Sequence, residues 1–414
     1  MYMTKLSSIA DYVTDKISSN DIALREYVTT DCILQNKKGR EIATNLPPQS
    51  CCLTRYQHGD VLIANIRPYL KKVWFADIDG GASSDVLVFR VKEGHSPSFL
   101  YAVLLQDSFF DYVMQGAKGS KMPRGDKEQI LRYEMPTLSC SEESIGTFFL
   151  NLDKKIRLNE QINQNLEAMA KQLYDYWFVQ FDFPNEEGKP YKSSGGEMVW
   201  NEKLKRKIPN EWDNCKLKDF INLFDSKRIP LSSKDREERK GNYPYYGATG
   251  IMDYVNEYIF DGDYILLAED GSTSDSKGFP IVQYIWGKNW VNNHAHIILP
   301  KNEQYLMFTY QMLRSIPAKQ IETGSIQKKI SQENLCEYNM VLPNSILIEK
   351  YESIISPLWE KRKLCIEEIN ALIKQRDELL PLLMNGQASV NSDLSASYII
   401  YKNKIIRIMK ENII

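Results

Sequence analysis

The chain contains no apolar run of about 18 residues, so no helix is expected to cross a membrane. It has seven cysteines, Cys32, Cys51, Cys52, Cys140, Cys215, Cys336 and Cys365. They are odd in number and form no C-x-x-C pair, which argues against a disulfide frame or a zinc ribbon and fits a reducing cytoplasm. Residues 1–16 lack an apolar core, so no secretory signal is expected. An excess of one charge is missing too. With a net charge of −2, any nucleic acid must be met by local patches.

Cofactor motifs are equally scarce. No G-x-G-x-x-G follows a strand, and no G-x-x-x-x-G-K-[ST] is present. An amino-methyltransferase needs an Asn/Asp-Pro-Pro-aromatic loop to hold a flipped base. The nearest string, Asn45-Leu46-Pro47-Pro48-Gln49, lacks both the spacing and the aromatic residue. His294 and His296 would share one side of a strand, but two ligands are too few for a metal site, so satisfied structural histidines are expected. The chain is therefore read as non-catalytic, binding no cofactor and no metal.

What is present is a repeat. Gly59-Asp60-Val61-Leu62-Ile63 returns as Gly262-Asp263-Tyr264-Ile265-Leu266, Gly119-Ser120-Lys121 as Gly324-Ser325-Ile326, and Tyr133-Glu134-Met135 as Tyr338-Asn339-Met340, at offsets of 203, 205 and 205. A helical motif follows each copy: Glu160-Gln161-Ile162-Asn163 and Glu367-Glu368-Ile369-Asn370. Repeats decide the architecture. Two similar units, each followed by a long helix, suggest a pseudo-two-fold molecule able to read two separated sites on one ligand.

The segments divide as follows. Residues 1–138 mix short apolar strand runs with Gly and Pro turns and a helical stretch at 98–113, an α+β pattern. Residues 139–182 form a first long helix, opened by Ser139 and Glu142 as a capping box. Its heptad seam runs through Ile145, Phe149, Leu152, Ile156, Asn159, Asn163, Leu166, Ala170, Leu173 and Trp177. About 40 helical residues span about 60 Å, a spacer rather than an ordinary domain helix. Residues 183–213 are a polar connector and 214–343 a second α+β unit. Residues 344–387 are a second long helix, with one stripe through Leu347, Tyr351, Ile354, Leu358, Cys365, Leu372 and Leu379 and a kink or break expected at Pro357. Each apolar stripe needs a partner, and the other helix is the nearest one, in an antiparallel coiled coil. The alternative is two helices packed separately on their own units. Residues 388–414 form a tail without an assigned role, compatible with a surface helix, a loose end or one extra docked element.

The helical segments resemble a known family. Leu152-Asp153-Lys154-Lys155-Ile156-Arg157-Leu158-Asn159, Leu166-Glu167-Ala168-Met169-Ala170 and Tyr176-Trp177-Phe178-Val179-Gln180-Phe181-Asp182 are similar to the central region of specificity subunits of type I restriction-modification systems. Arg376-Asp377-Glu378-Leu379-Leu380-Pro381-Leu382-Leu383-Met384-Asn385-Gly386-Gln387 resembles their end. Asn65-Ile66-Arg67-Pro68-Tyr69-Leu70-Lys71-Lys72, Lys121-Met122-Pro123-Arg124-Gly125-Asp126, Tyr246-Gly247-Ala248-Thr249-Gly250 and Ala268-Glu269-Asp270-Gly271-Ser272 look like parts of the family's target recognition domains. The resemblance implies a cytoplasmic DNA-binding subunit. Each unit would read half of a bipartite double-stranded target, while the helices dock two modification subunits and a restriction subunit joins. Methyl transfer from S-adenosylmethionine and ATP- and Mg²⁺-dependent cleavage would belong to those partners.

Candidate DNA contacts follow from charge and glycine. Lys118, Lys121 and Arg124 sit on the Gly116–Gly125 loop, where glycine lets a backbone come close. Gln327, Lys328 and Lys329 follow Gly324 in the matching loop. Asn65, Arg67 and Lys71 form a further patch, as do Lys227 and Arg228. The plainer alternative is solvated surface charge. Tyr174, Tyr176, Trp177 and Phe178 exceed what a two-helix seam buries and are candidates for docking a modification subunit, or else for packing on the adjacent unit. Asn159 and Asn163 are placed to fix helix register. Two rivals stand beside this reading: a scaffold that pairs partners without reading DNA, and a stand-alone DNA methyltransferase or nuclease.

Overall fold

Val61–Ala64 and Tyr264–Ala268, two apolar runs of strand length, each become an interior strand of a four-stranded antiparallel sheet. The computed structural model describes residues 3–136, 141–324 and 327–390, and the backbone of 398–401 and 404–407. Ser139, Ser325 and Ile326 lie outside the described residues. The chain forms two compact units, Met1–Glu160 with Ile366–Ile414, and Gln161–Cys365.

In the first unit the strand order is Ala10–Tyr12, Val86–Val91, Val61–Ala64, Val73–Phe75. In the second it is Ile221–Leu223, Ala295–Pro300, Tyr264–Ala268, Val282–Ile285. The match extends to the edges. Met3–Lys5 pairs with Glu134–Pro136, and Asp213–Lys216 pairs with Asn339–Leu342. Each unit also holds a second four-stranded sheet that includes a parallel pair, Tyr27–Val28 with Gly80–Ala82 and Lys240–Tyr246 with Lys288–Val291. The repeat read from glycine spacing is thus a repeat of sheet topology, and the fold is α+β.

One short helix packs on each sheet, Pro97–Leu104 in the first unit and Leu306–Ser315 in the second, buried over most of its length. The long helices Glu142–Tyr174 and Ser345–Met384 complete both cores. In the first unit Ile145 and Phe149 join Leu379, Leu380 and Leu383 around Phe99 and Leu100. Gly146 makes the close approach possible: a Cβ there would lie 2.3 Å from the Phe99 nitrogen. Every predicted seam position of the first long helix, from Ile145 to Trp177, is buried or half-buried.

The second long helix departs from expectation twice. Ile354 is exposed, and Ile355 and Trp359 are buried in its place. The helix also runs unbroken through Pro357. That proline is exposed, so the carbonyl it leaves unpaired meets solvent.

Within each unit the two helices are antiparallel and tied by a charged pair. In the first, Asp153 meets Arg376 at 3.3 Å and Asn159 donates to Glu368 at 2.7 Å. In the second, Glu167 meets Arg362 at 3.1 Å and Arg314 at 2.9 Å, and the Tyr351 hydroxyl donates to the Ala170 carbonyl. The first long helix ends in a π-helical turn, Asp175–Val179. Beyond the second, Tyr398–Tyr401 and Lys404–Arg407 are strands paired in sequence onto Ala388–Val390, so these backbone segments are not a surface helix.

Glu352 carries a pH dependence. Its buried carboxyl accepts from the Phe308 N–H at 2.7 Å, at the start of the helix Leu306–Ser315, and from the Ser356 hydroxyl. Burial outweighs those bonds and raises its pKa from 4.5 to about 7. The folded chain therefore holds a proton that the unfolded chain releases. This stability is complete below about pH 4.5 and is lost as pH rises through about 7, a change of up to about 3 kcal/mol. Glu352→Gln should remove that component, which urea denaturation at pH 6 and pH 8.5 would read directly. Equal pH dependence in both proteins would refute it.

Candidate nucleic-acid interface

In the first unit the structure joins the two basic stretches that sequence could only name separately. The loop after Val61–Ala64 and the Gly116–Gly125 loop meet in an isolated β-bridge, Ile66 to Arg124. The Arg67 N–H donates to the Pro123 carbonyl at 2.8 Å, and Lys118 and Arg124 exchange backbone bonds at 2.9 Å. A third loop joins them, with Asn36 and Lys37 donating to the Leu70 and Lys71 carbonyls. Asn36, Lys37, Arg67 and Lys71 all have left-handed backbones. Such conformations cost about 1 to 3 kcal/mol each and cluster where the surroundings over-determine them, often at functional sites.

The side chains are unequal. Arg67 and Lys121 are exposed and have no ion pair among the described residues. Lys118 and Arg124 are exposed but face Asp126 and Asp85, each at 3.1 Å. Lys71 shares Asp107 with buried Lys37, each at 2.8 Å. Burial would lift the Asp107 carboxyl, yet the two ammonium groups hold it below the usual range. Asn65 is half-buried, and its Oδ1 is buried without a partner, 2.9 Å from where a Cβ at Gly125 would lie. That atom cannot reach a base edge. Tyr69 and Met122 are exposed on the same loops and went unnoticed, because their types alone do not mark a DNA contact.

The second unit repeats the junction. Asp270 bridges to Lys329, the position matching Ile66 and Arg124. Gln327, Lys328 and Lys329 are exposed, but Lys328 meets Glu322 and Lys329 meets Glu269, each at 3.1 Å. Lys227 is exposed, with its ammonium 5.1 Å from the Phe224 ring centre. Arg228 is corrected. Its half-buried guanidinium meets Glu269 at 2.7 Å and the Ala295 carbonyl at 2.8 Å, so it is an internal strut.

The histidines are satisfied, as expected. His294 meets Asp270, and buried His296 lies between Asp225 and the Ile330 carbonyl. Asp225, Glu269 and His296 bring three potential metal ligands together. Arg228 already supplies the compensating cation and both imidazole nitrogens are engaged, so the residues do not fit a metal centre.

The docking aromatics separate in the same way. Tyr174, Trp177 and Phe178 are buried against Trp212, Phe308 and Tyr351, which is packing within their own unit. Tyr176 alone of the four is exposed, beside exposed Val179.

Comparison with known proteins gives this geometry a context. Residues 209–370 match the model of the type I restriction modification DNA specificity domain. The chain is 23% identical to the type I restriction enzyme MjaIX specificity subunit of Methanocaldococcus jannaschii, over 90% of this chain and 86% of that protein. It is 22% identical to the type I restriction enzyme HindI specificity subunit of Haemophilus influenzae, over 92% of this chain and 98% of that one. The crystal structure of the type I restriction-modification S subunit from M. genitalium shares the fold, with a TM-score of 0.59 and 16% identity over 92% of this chain and 96% of that chain. No described helix is long and apolar enough to cross a membrane. The matched domain and the relatives spanning nearly the whole chain agree: the chain is similar to the specificity subunits of type I restriction-modification systems, and it shares the fold of a solved S subunit.

Proposed function

We propose that this chain binds double-stranded DNA in the cytoplasm, each recognition domain, 1–138 and 214–343, reading one half of a bipartite target. One observation carries the reading. Both units present the same two loops, joined by a β-bridge at matching positions, Ile66–Arg124 and Asp270–Lys329. Side chains for phosphates and base edges are concentrated there. In the first unit Arg67 and Lys121 supply phosphate contacts, with Lys118 and Arg124 available once their carboxylates are exchanged for phosphate. In the second, Gln327, Lys328, Lys329 and Lys227 take the corresponding part. The chain itself does no chemistry. Two modification subunits dock on the helices, Tyr176 being the exposed aromatic contact, and an ATP-dependent restriction subunit completes the complex.

The test is methylome sequencing of a host expressing the chain with its modification subunit, against a host lacking only the chain. A bipartite motif with a fixed spacer should appear only in the first. If the modification subunit marks the same motif alone, or an assembled complex marks none, the chain is a scaffold rather than a reader.

A further inference from the structure

The second unit contains a buried side-chain network that the described residues of the first unit do not repeat. The peptide of Ile330, which ends the Gly324–Lys329 loop, is gripped on both sides. Its N–H donates to the Glu269 carbonyl at 2.8 Å, and its carbonyl accepts from His296 Nε2 at 2.8 Å. His296 Nδ1 lies 2.6 Å from Asp225 Oδ2, and the Ile297 N–H donates to Asp225 Oδ1 at 2.9 Å. Gln332, two residues beyond Ile330, also donates to Asp225. Arg228 spans the Asp225 and Glu269 carboxylates, and Glu269 also meets Lys329. The corresponding strand of the first unit, Val86–Val91, carries Leu87 and Val88 and no such network.

Stability does not account for this arrangement, because a buried ionic cluster is often no more stabilising than apolar residues of the same volume. Direction does. Bonds to both sides of one peptide fix the position of Ile330 and of the adjoining Lys329, and a reader of base edges needs such placement to within about half an ångström. We infer that the buried His296–Asp225 pair, braced by Arg228 and Glu269, positions the Gln327–Ile330 segment and thereby sets discrimination at the second half-site, an inference that rests on the DNA-reading role proposed above. Arg228 and Glu269 are thus positioning residues, acting through Ile330 and Lys329 rather than on DNA.

The test uses the full chain assembled with its modification subunits. Methylation is measured on the target DNA and on targets with single base-pair changes in either half. For His296→Phe, discrimination in the second half should fall about tenfold, the scale of one lost bond to a charged group, while the first half is read as before. His296→Gln keeps a donor toward Ile330 and should retain most of the discrimination. Unchanged discrimination in His296→Phe overturns the inference, and so does an equal loss in both halves, which is general destabilisation. If His296→Phe fails to assemble, exposed Gln332→Leu decides: it should cost about threefold in the second half only, and no change overturns the proposal. If the unaltered complex discriminates in neither half, the recognition reading falls and this inference falls with it.

Discussion

Replacing Asp153 by alanine is expected to destabilise the first unit by about 3 to 5 kcal/mol, the cost of stranding a buried charge. Asp153 and Arg376 are almost fully buried, at 2% and 3% exposure. Without Asp153 the Arg376 guanidinium keeps, among the described residues, the Asp377 pair at 3.0 Å, and the Tyr101 hydroxyl loses its acceptor. Chemical denaturation followed by circular dichroism measures the loss. The double variant Asp153→Ala with Arg376→Met should recover most of it, because the penalty lies in the orphaned charge rather than in the missing attraction. A cost below about 1 kcal/mol for the single variant would show that the cation finds water or another acid.

Reversing two cations in the first unit should have the largest effect on DNA. At 0.1 M salt a phosphate contact contributes just under a decade through counterion release, so Arg67→Glu with Lys121→Glu should weaken binding about 100-fold and flatten the salt slope by about two. Fluorescence anisotropy with the assembled complex reads both quantities. Lys328→Glu with Lys329→Glu should cost less, under about tenfold, because each lysine must first give up Glu322 or Glu269. Binding within threefold of the unaltered complex after the first pair of reversals would remove those loops from the interface and favour the scaffold.

Periodic features were legible in the sequence, and features made by distant residues were not. The glycine offsets gave the repeat, and apolar spacing gave the first helix's buried seam. Ile354 is the exception in the second stripe: it is exposed and its neighbour Ile355 is buried, while Cys365, Leu372 and Leu379 farther along are buried as expected. Arg228 read as an exposed cation because Glu269 lies 41 residues away, and the Asp225–His296 pair spans 71. Trp177 and Phe178 read as surplus aromatics because the surfaces that bury them, around Phe308 and Tyr351, come from far along the chain. Nothing local to Asn65 announced that its Oδ1 is buried beside Gly125.

The two inter-helix ion pairs have a consequence for register. Asp153 and Glu167 stand 14 residues apart, and so do Arg362 and Arg376. A slip of one heptad would set Asp153 against Leu383 or Ile369, and Glu167 against Ile355 or Ile369, stranding two acids among aliphatic side chains. Within each unit the helix pair is therefore indexed, like a toothed rack with one permitted mesh.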